Sequence, residues 1–218
     1  GWTLSLPQIA NEIMSSELQT AVRNNMQPFS HVPISQTETP ALLSLAWYAA
    51  RKLPCRYVEV GFRYPHAATM VSRGSPGVEV YAVCSWERRP ADDAIFYNRS
   101  DTSLIFFVSN TFRQVSHWAY TQYVGGPPAT AVDRLIASSV GPFRLDLALV
   151  RADRPEAPAQ ATELASHLVP GGAIVVHAPN ATAYDKTIAA IREKFPLFAC
   201  LNFGDGVNGM ILACKPAP

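Results

Sequence analysis

His177 and Asp153 are the pair in this chain whose types and placement suit acid–base work. His177 ends an apolar run, Ala173-Ile174-Val175-Val176, and Asp153 follows another, Phe143 to Val150. A histidine and a carboxylate at strand ends can take up and hold a proton; the same two residues can equally be the polar lining of a cleft. Arg63 lies just after Tyr57-Val58-Glu59-Val60-Gly61. It can meet a ligand carboxylate or stand as an ordinary solvated charge. Asn180, Tyr184 and Asp185, read as a loop after His177, bring further polar groups within reach of a small ligand. A divalent cation wants several converging oxygen ligands, and Asp153 alone does not supply them. The four cysteines, Cys55, Cys84, Cys200 and Cys214, make no CxxC or Cys/His metal spacing. No metal site is expected.

The elements that must position these groups follow from pattern. Tyr57 to Gly61 reads as a short buried strand ending in glycine, Ala67 to Arg73 as a helix, Gly74 to Gly77 as a turn, and Val78 to Val83 as a second strand. Strand, helix, strand makes a βαβ unit with parallel strands. Ligands in such sheets sit at the carboxyl ends of the strands, here Gly61 to His66 and Cys84 to Trp86. Upstream, Leu6, Ile9, Ile13, Met14, Leu18 and Val22 recur at helical spacing, as one amphipathic helix or a broken pair, and residues 28–38 read as loop. Thr39-Pro40 suits the start of a helix running to Leu53. Downstream, Arg88 to Ser103 reads as loop, Leu104 to Tyr120 as a strand then a helix or, by its helical spacing, one helix, with a structural His117, and Thr121 to Val124 as a short strand. Ala129 to Ser138 and residues 156–168 read as helices on either side of a strand, Phe143 to Val150. Val169 to Gly172 reads as a turn into the strand Ala173 to His177. A helix from Thr187 to Phe195 and two strands, Phe198 to Phe203 and Gly209 to Cys214, across Gly204-Asp205-Gly206 close the chain.

Val58-Glu59-Val60-Gly61, then Val80-Tyr81-Ala82-Val83 with Trp86, then Leu168-x-Pro170-Gly171-Gly172 before an apolar strand, resemble the class I S-adenosylmethionine (SAM) dependent methyltransferases, in particular small-molecule O-methyltransferase-like families. The resemblance covers about residues 39–216. It implies an α/β, Rossmann-like fold: a mostly parallel sheet with helices on both faces and a C-terminal antiparallel hairpin. It divides the chain into an N-terminal helical lead or lid, 1–38, and an α/β domain, 39–218. By family position Glu59, Gly61, Arg63, His66, Cys84 and Trp86 would line the SAM site. The chain also departs from the family pattern. Pro65 stands where the family has its later glycine, removing an amide donor and fixing φ. Cys84 stands where an acidic residue holds the ribose hydroxyls; losing that charge-assisted acceptor costs on the order of 2–3 kcal/mol. Arg151 replaces the first acid of the metal-dependent run after the fourth strand, and Ala178 follows His177 where many relatives carry aspartate.

Composition narrows the rest. With 48% hydrophobic and 16% charged residues over 218 positions, the chain can bury a full core without staples. A net charge of +1 argues against a general nucleic-acid binder. No membrane-spanning run or signal-peptide pattern is present, and cysteines in or beside apolar strands read as free thiols of a reducing, cytoplasmic setting. A start at Gly-Trp fits a processed chain or a piece of a longer protein. Two readings follow. In one, a methyltransferase-fold domain has become degenerate in SAM chemistry, a pseudoenzyme that binds a small molecule or a protein partner. In the other, it is an active, metal-independent SAM-dependent methyltransferase acting on a small molecule, with His177 as base. A nicotinamide dehydrogenase is disfavoured, since no glycine fingerprint follows the first strand.

Overall fold

The structure, a computed structural model, describes residues 5–26, 39–52, 56–61, 66–83, 121–124, 127–152, 154–178, 181–202 and 211–214. The N-terminal apolar pattern forms a broken pair, α1 (Leu6–Ile13) and α2 (Ser16–Met26). Ser5 starts α1 with a capping box: its hydroxyl accepts from the Gln8 amide, and its own amide donates to Gln8 Oε1 at 2.8 Å. Pro7 fits the first turn, where its missing N–H costs nothing. The Ser15 hydroxyl accepts from the Leu18 amide and so begins α2. Helix α3 (Thr39–Lys52) leads into β1 (Arg56–Val60), α4 (His66–Gly74) and β2 (Glu79–Val83). Then come β3 (Thr121–Val124), α5 (Pro128–Ala137), β4 (Leu145–Arg151), α6 (Ala157–Ser166), β5 (Leu168–His177), α7 (Ala181–Lys194), β6 (Ala199–Asn202) and β7 (Ile211–Cys214). The expected loops at 28–38 and 88–103, the helix at 104–120 and the Gly204–Gly206 turn lie outside the described residues.

The seven strands among the described residues form one sheet in the order β3-β2-β1-β4-β5-β7-β6. Strands β1 to β5 pair in parallel, while β7 runs antiparallel to both β5 and β6. The α/β fold with its closing antiparallel hairpin is therefore present. Strand order reverses between β1 and β4: the chain steps outward through β2 and β3, then returns to the other side of β1.

Side chains alternate across the sheet and divide the core in two. Tyr57, Val80, Ala82, Leu147, Leu149, Ala173 and Val175 pack with α1 to α4. Val58, Val60, Val83, Ala148, Val150, Ile174 and Val176 pack with α5, α6 and α7 on the opposite face. Ile9, Ile13 and Val22 belong to the first cluster, so α1 and α2 share a core with α3 and the sheet. Trp47 is buried there too; its Nε1 donates to Glu12 Oε2 at 2.8 Å, and the guanidinium of Arg51 pairs with the same carboxylate.

Two boundaries differ from expectation. Strand β5 begins at Leu168, not Ala173, because Val169 to Gly172 forms an irregularity inside the strand: Leu145 pairs with Leu168, but Leu147 pairs with Ala173. The shift also turns Leu145 and Leu147 to opposite faces. Gly172 is required by close approach, since a Cβ there would lie 2.9 Å from the Val169 carbonyl oxygen and 3.0 Å from that of Asp146. The buried Tyr48 hydroxyl donates to the Gly171 carbonyl at 3.0 Å, tying α3 to this irregularity. Helix α7 begins at Ala181, six residues before the expected Thr187, so Tyr184 and Asp185 are helical rather than in a loop. Cys200 is a free, half-buried thiol. No helix among the described residues is long and apolar enough to cross a membrane.

Candidate functional site

Open parallel sheets bind ligands beyond the carboxyl ends of their strands where the order reverses. Here the order reverses between β1 and β4. Period-two alternation puts Glu59, Gly61, Arg151 and His177 on the face that carries Tyr57, Leu149 and Val175. Arg151 and His177 are register partners on β4 and β5, and the Ala152 amide donates to the His177 carbonyl at 2.7 Å.

Glu59 is fully buried inside an apolar strand. An unpaired carboxylate there would be costly, so its partners matter. Oε1 accepts from the Tyr57 hydroxyl at 2.7 Å, and Oε2 accepts from Arg151 Nη1, also at 2.7 Å. The Arg151 side chain is only 13% exposed. Its Nη1 also makes a long contact, 3.4 Å, with the Gly61 carbonyl. Gly61 makes this reach possible. Its φ is +87°, and a Cβ at that position would lie 3.1 Å from Arg151 Cβ. The Gly61 amide donates to the Val83 carbonyl at 2.9 Å, extending the β1–β2 ladder by one residue. Arg151 thus leans across the reversal point and bonds the end of β1.

His66 is the first residue of α4 and is buried, on the same side of the sheet as Glu59. His177 is half-buried at the end of β5. Glu59, Gly61 and His177 are therefore gathered on one face at one edge of the sheet. Arg63, Cys84, Trp86, Asp153 and Asn180 lie outside the described residues. Tyr184 belongs elsewhere: it packs in the cluster on the opposite face, so it is a core residue rather than a contact for a ligand over β1 and β4. Burial pushes its phenol well above the ordinary tyrosine value, and its hydroxyl has no hydrogen-bond partner among the described residues. No three His, Cys, Asp or Glu side chains among the described residues come together as a metal ion would need. Two cavities lined by described residues, about 640 Å³ between α2 and α3 beside Trp47 and about 350 Å³ at the opposite sheet edge beside Arg56, do not reach Glu59, Arg151 or His177.

The Glu59–Arg151 pair was not anticipated; the sequence had marked Arg151 only as a missing acid. The available signal was a glutamate within the apolar run Tyr57 to Val60, which demands a cation, and an arginine ending another apolar run. The pair also bears on SAM. Each carboxylate oxygen of Glu59 accepts a hydrogen bond from within the chain, and an arginine ends β4 where the family resemblance implies an acid.

No protein-family model matches the sequence, and no curated protein matches it. Solved structures do match in shape. An O-methyltransferase from Streptomyces achromogenes involved in tomaymycin synthesis, solved with SAM, superposes with a TM-score of 0.60 at 15% identity over 93% of this chain and 91% of its own. An O-methyltransferase from Bacillus cereus, solved with S-adenosylhomocysteine (SAH), gives 0.57 at 16% identity over 95% and 96%. A methyltransferase from Geobacter sulfurreducens gives 0.58 at 14% identity over 94% and 90%. With the strand order and the antiparallel closing hairpin, these likenesses show that the chain has the class I SAM-dependent methyltransferase fold.

Proposed function

We propose that this chain is a methyltransferase-fold module whose SAM chemistry has degenerated and which acts by binding a small molecule or a protein partner. The observation that carries this reading is the buried bond from Arg151 to Glu59 and Gly61 across the β1–β4 reversal. A crevice that takes SAM needs glycine backbone and acceptors open to the ligand. Here the chain's own arginine uses them. Cys84 and Pro65, at family positions for the ribose acid and the later glycine, support the same direction. No metal is expected, and the free Cys200 thiol supports a reducing, cytoplasmic setting. In a thermal-shift series with SAM and SAH up to millimolar concentration, the midpoint is expected to stay unchanged; a saturable rise for either ligand would overturn the reading.

A second reading is favoured by one observation, the position of His177 at the carboxyl end of β5 beside Arg151. In it the chain is an active, metal-independent methyltransferase with His177 as base, held by Asp153. It predicts methyl transfer from SAM to a small acceptor, falling about 100-fold or more in His177→Gln.

A further inference from the structure

We propose that the cavity between α2 and α3 binds a small organic cation, an amine carried on an apolar body. The site is separate from the β1–β4 reversal and goes beyond the reading above, since it does not depend on whether that region receives SAM.

Three features lead to it. First, the space: the cavity holds about 640 Å³, within the range that takes a small ligand, and opens where the chain turns from α1 into α2. Ala21 on α2 and Ala50 on α3 are small and exposed, which keeps it open, and Leu18 and Trp47 give it apolar surface. Second, the charge: two carboxylates, Glu12 and Glu17, line the cavity with one guanidinium, Arg51, so the described lining carries one uncompensated negative charge. Arg51 is matched by its pair with Glu12. Glu17, in the first turn of α2, is exposed and has no ion pair among the described residues. Third, the geometry: Glu12 is held in place, because its Oε2 accepts from Trp47 Nε1 at 2.8 Å and pairs with Arg51. Its Oε1 has no partner among the described residues, and the side chain is one-third exposed. The chain's own side chain already displays the chemistry, since the Arg51 guanidinium lies 5.5 Å from the centroid of the Trp47 ring while it pairs with Glu12. An ammonium group can take charge-assisted hydrogen bonds from Glu12 Oε1 and Glu17, with its apolar body against Leu18 and Ala50; an anion would meet two carboxylates instead.

The test is an NMR titration of the full chain with phenethylamine, and separately with its uncharged counterpart 2-phenylethanol, at constant pH and ionic strength. It follows the Trp47 indole N–H and the amides of Ser15 and Leu18. Saturable shifts at these signals are expected with phenethylamine, and binding of 2-phenylethanol should be about ten-fold weaker or more. Glu17→Gln removes an exposed charge that the fold does not use; it should weaken the amine about three-fold and leave the alcohol unchanged. Glu12→Gln/Glu17→Gln should erase the preference for the amine. Asp133→Asn, at an exposed acid on α5, should change neither affinity. Linear shifts with phenethylamine, an alcohol bound as tightly as the amine, or an equal weakening in Asp133→Asn would overturn the proposal. None of these outcomes alters the reading of the β1–β4 region, which the thermal-shift series with SAM and SAH tests by itself.

Discussion

Arg151 is the residue on which the site turns. Removing one partner of a buried ion pair leaves the other charge uncompensated, a loss of about 3–5 kcal/mol, whereas replacing both by neutral groups of the same shape is far milder. Arg151→Gln is therefore expected to lower unfolding free energy by about 3 kcal/mol or more in urea denaturation. Glu59→Gln/Arg151→Gln should recover most of that loss, giving a clear coupling in the double-mutant cycle. Equal and additive losses would mean that the pair contributes nothing. Tyr184 carries the opposite sign. Its buried hydroxyl has no partner among the described residues, so Tyr184→Phe should stabilise the chain by about 1 kcal/mol. Its raised phenol value has a pH consequence. Above about pH 10 the unfolded chain releases this proton while the folded chain holds it, so stability falls as pH rises. That alkaline slope should shrink in Tyr184→Phe, read from denaturation midpoints across the alkaline range.

At the scale of elements, the sheet was legible because its strands are short apolar runs bounded by breakers. Tyr57 to Val60, Val80 to Val83 and Leu147 to Val150 all fall in strands, and the closing hairpin was read from its two apolar runs. The start of β5 was not legible. Pro170, Gly171 and Gly172 read as a turn, and only the pairing of Leu145 with Leu168 draws these residues into the strand. The first turns of α7 were missed for a related reason: Thr182, Asp185 and Lys186 hide the apolar period, leaving Tyr184 as the early core anchor. The Glu59–Arg151 bond joins residues 92 apart on neighbouring strands, a relation that no local pattern carries. The irregularity in β5 makes its own prediction. Gly172→Ala drives a methyl group against two backbone carbonyls, which cannot swing aside as a side chain would. A loss of about 1–3 kcal/mol is expected, seen as a lower urea midpoint with an unchanged denaturant slope.

At the scale of the whole molecule, the chain has the methyltransferase fold, and its own arginine joins the ends of β1 and β4. The N-terminal pair is part of that architecture. Ile9 and Ile13 are fully buried in the cluster under α3, and each such side chain contributes about 1.5–3 kcal/mol. Removing residues 1–15 should therefore cost about 3–6 kcal/mol and expose the apolar face of α3, seen as a lower thermal midpoint and new binding of a hydrophobic dye. An unchanged midpoint would show that α1 acts only as a detachable cover. The most direct measurement of the central claim is a calorimetric titration of the intact chain with SAH and with SAM. The internal bond from Arg151 to Glu59 and Gly61 predicts no saturable heat with either ligand up to millimolar concentration. Micromolar binding of either would contradict it and show that the crevice still receives the cofactor.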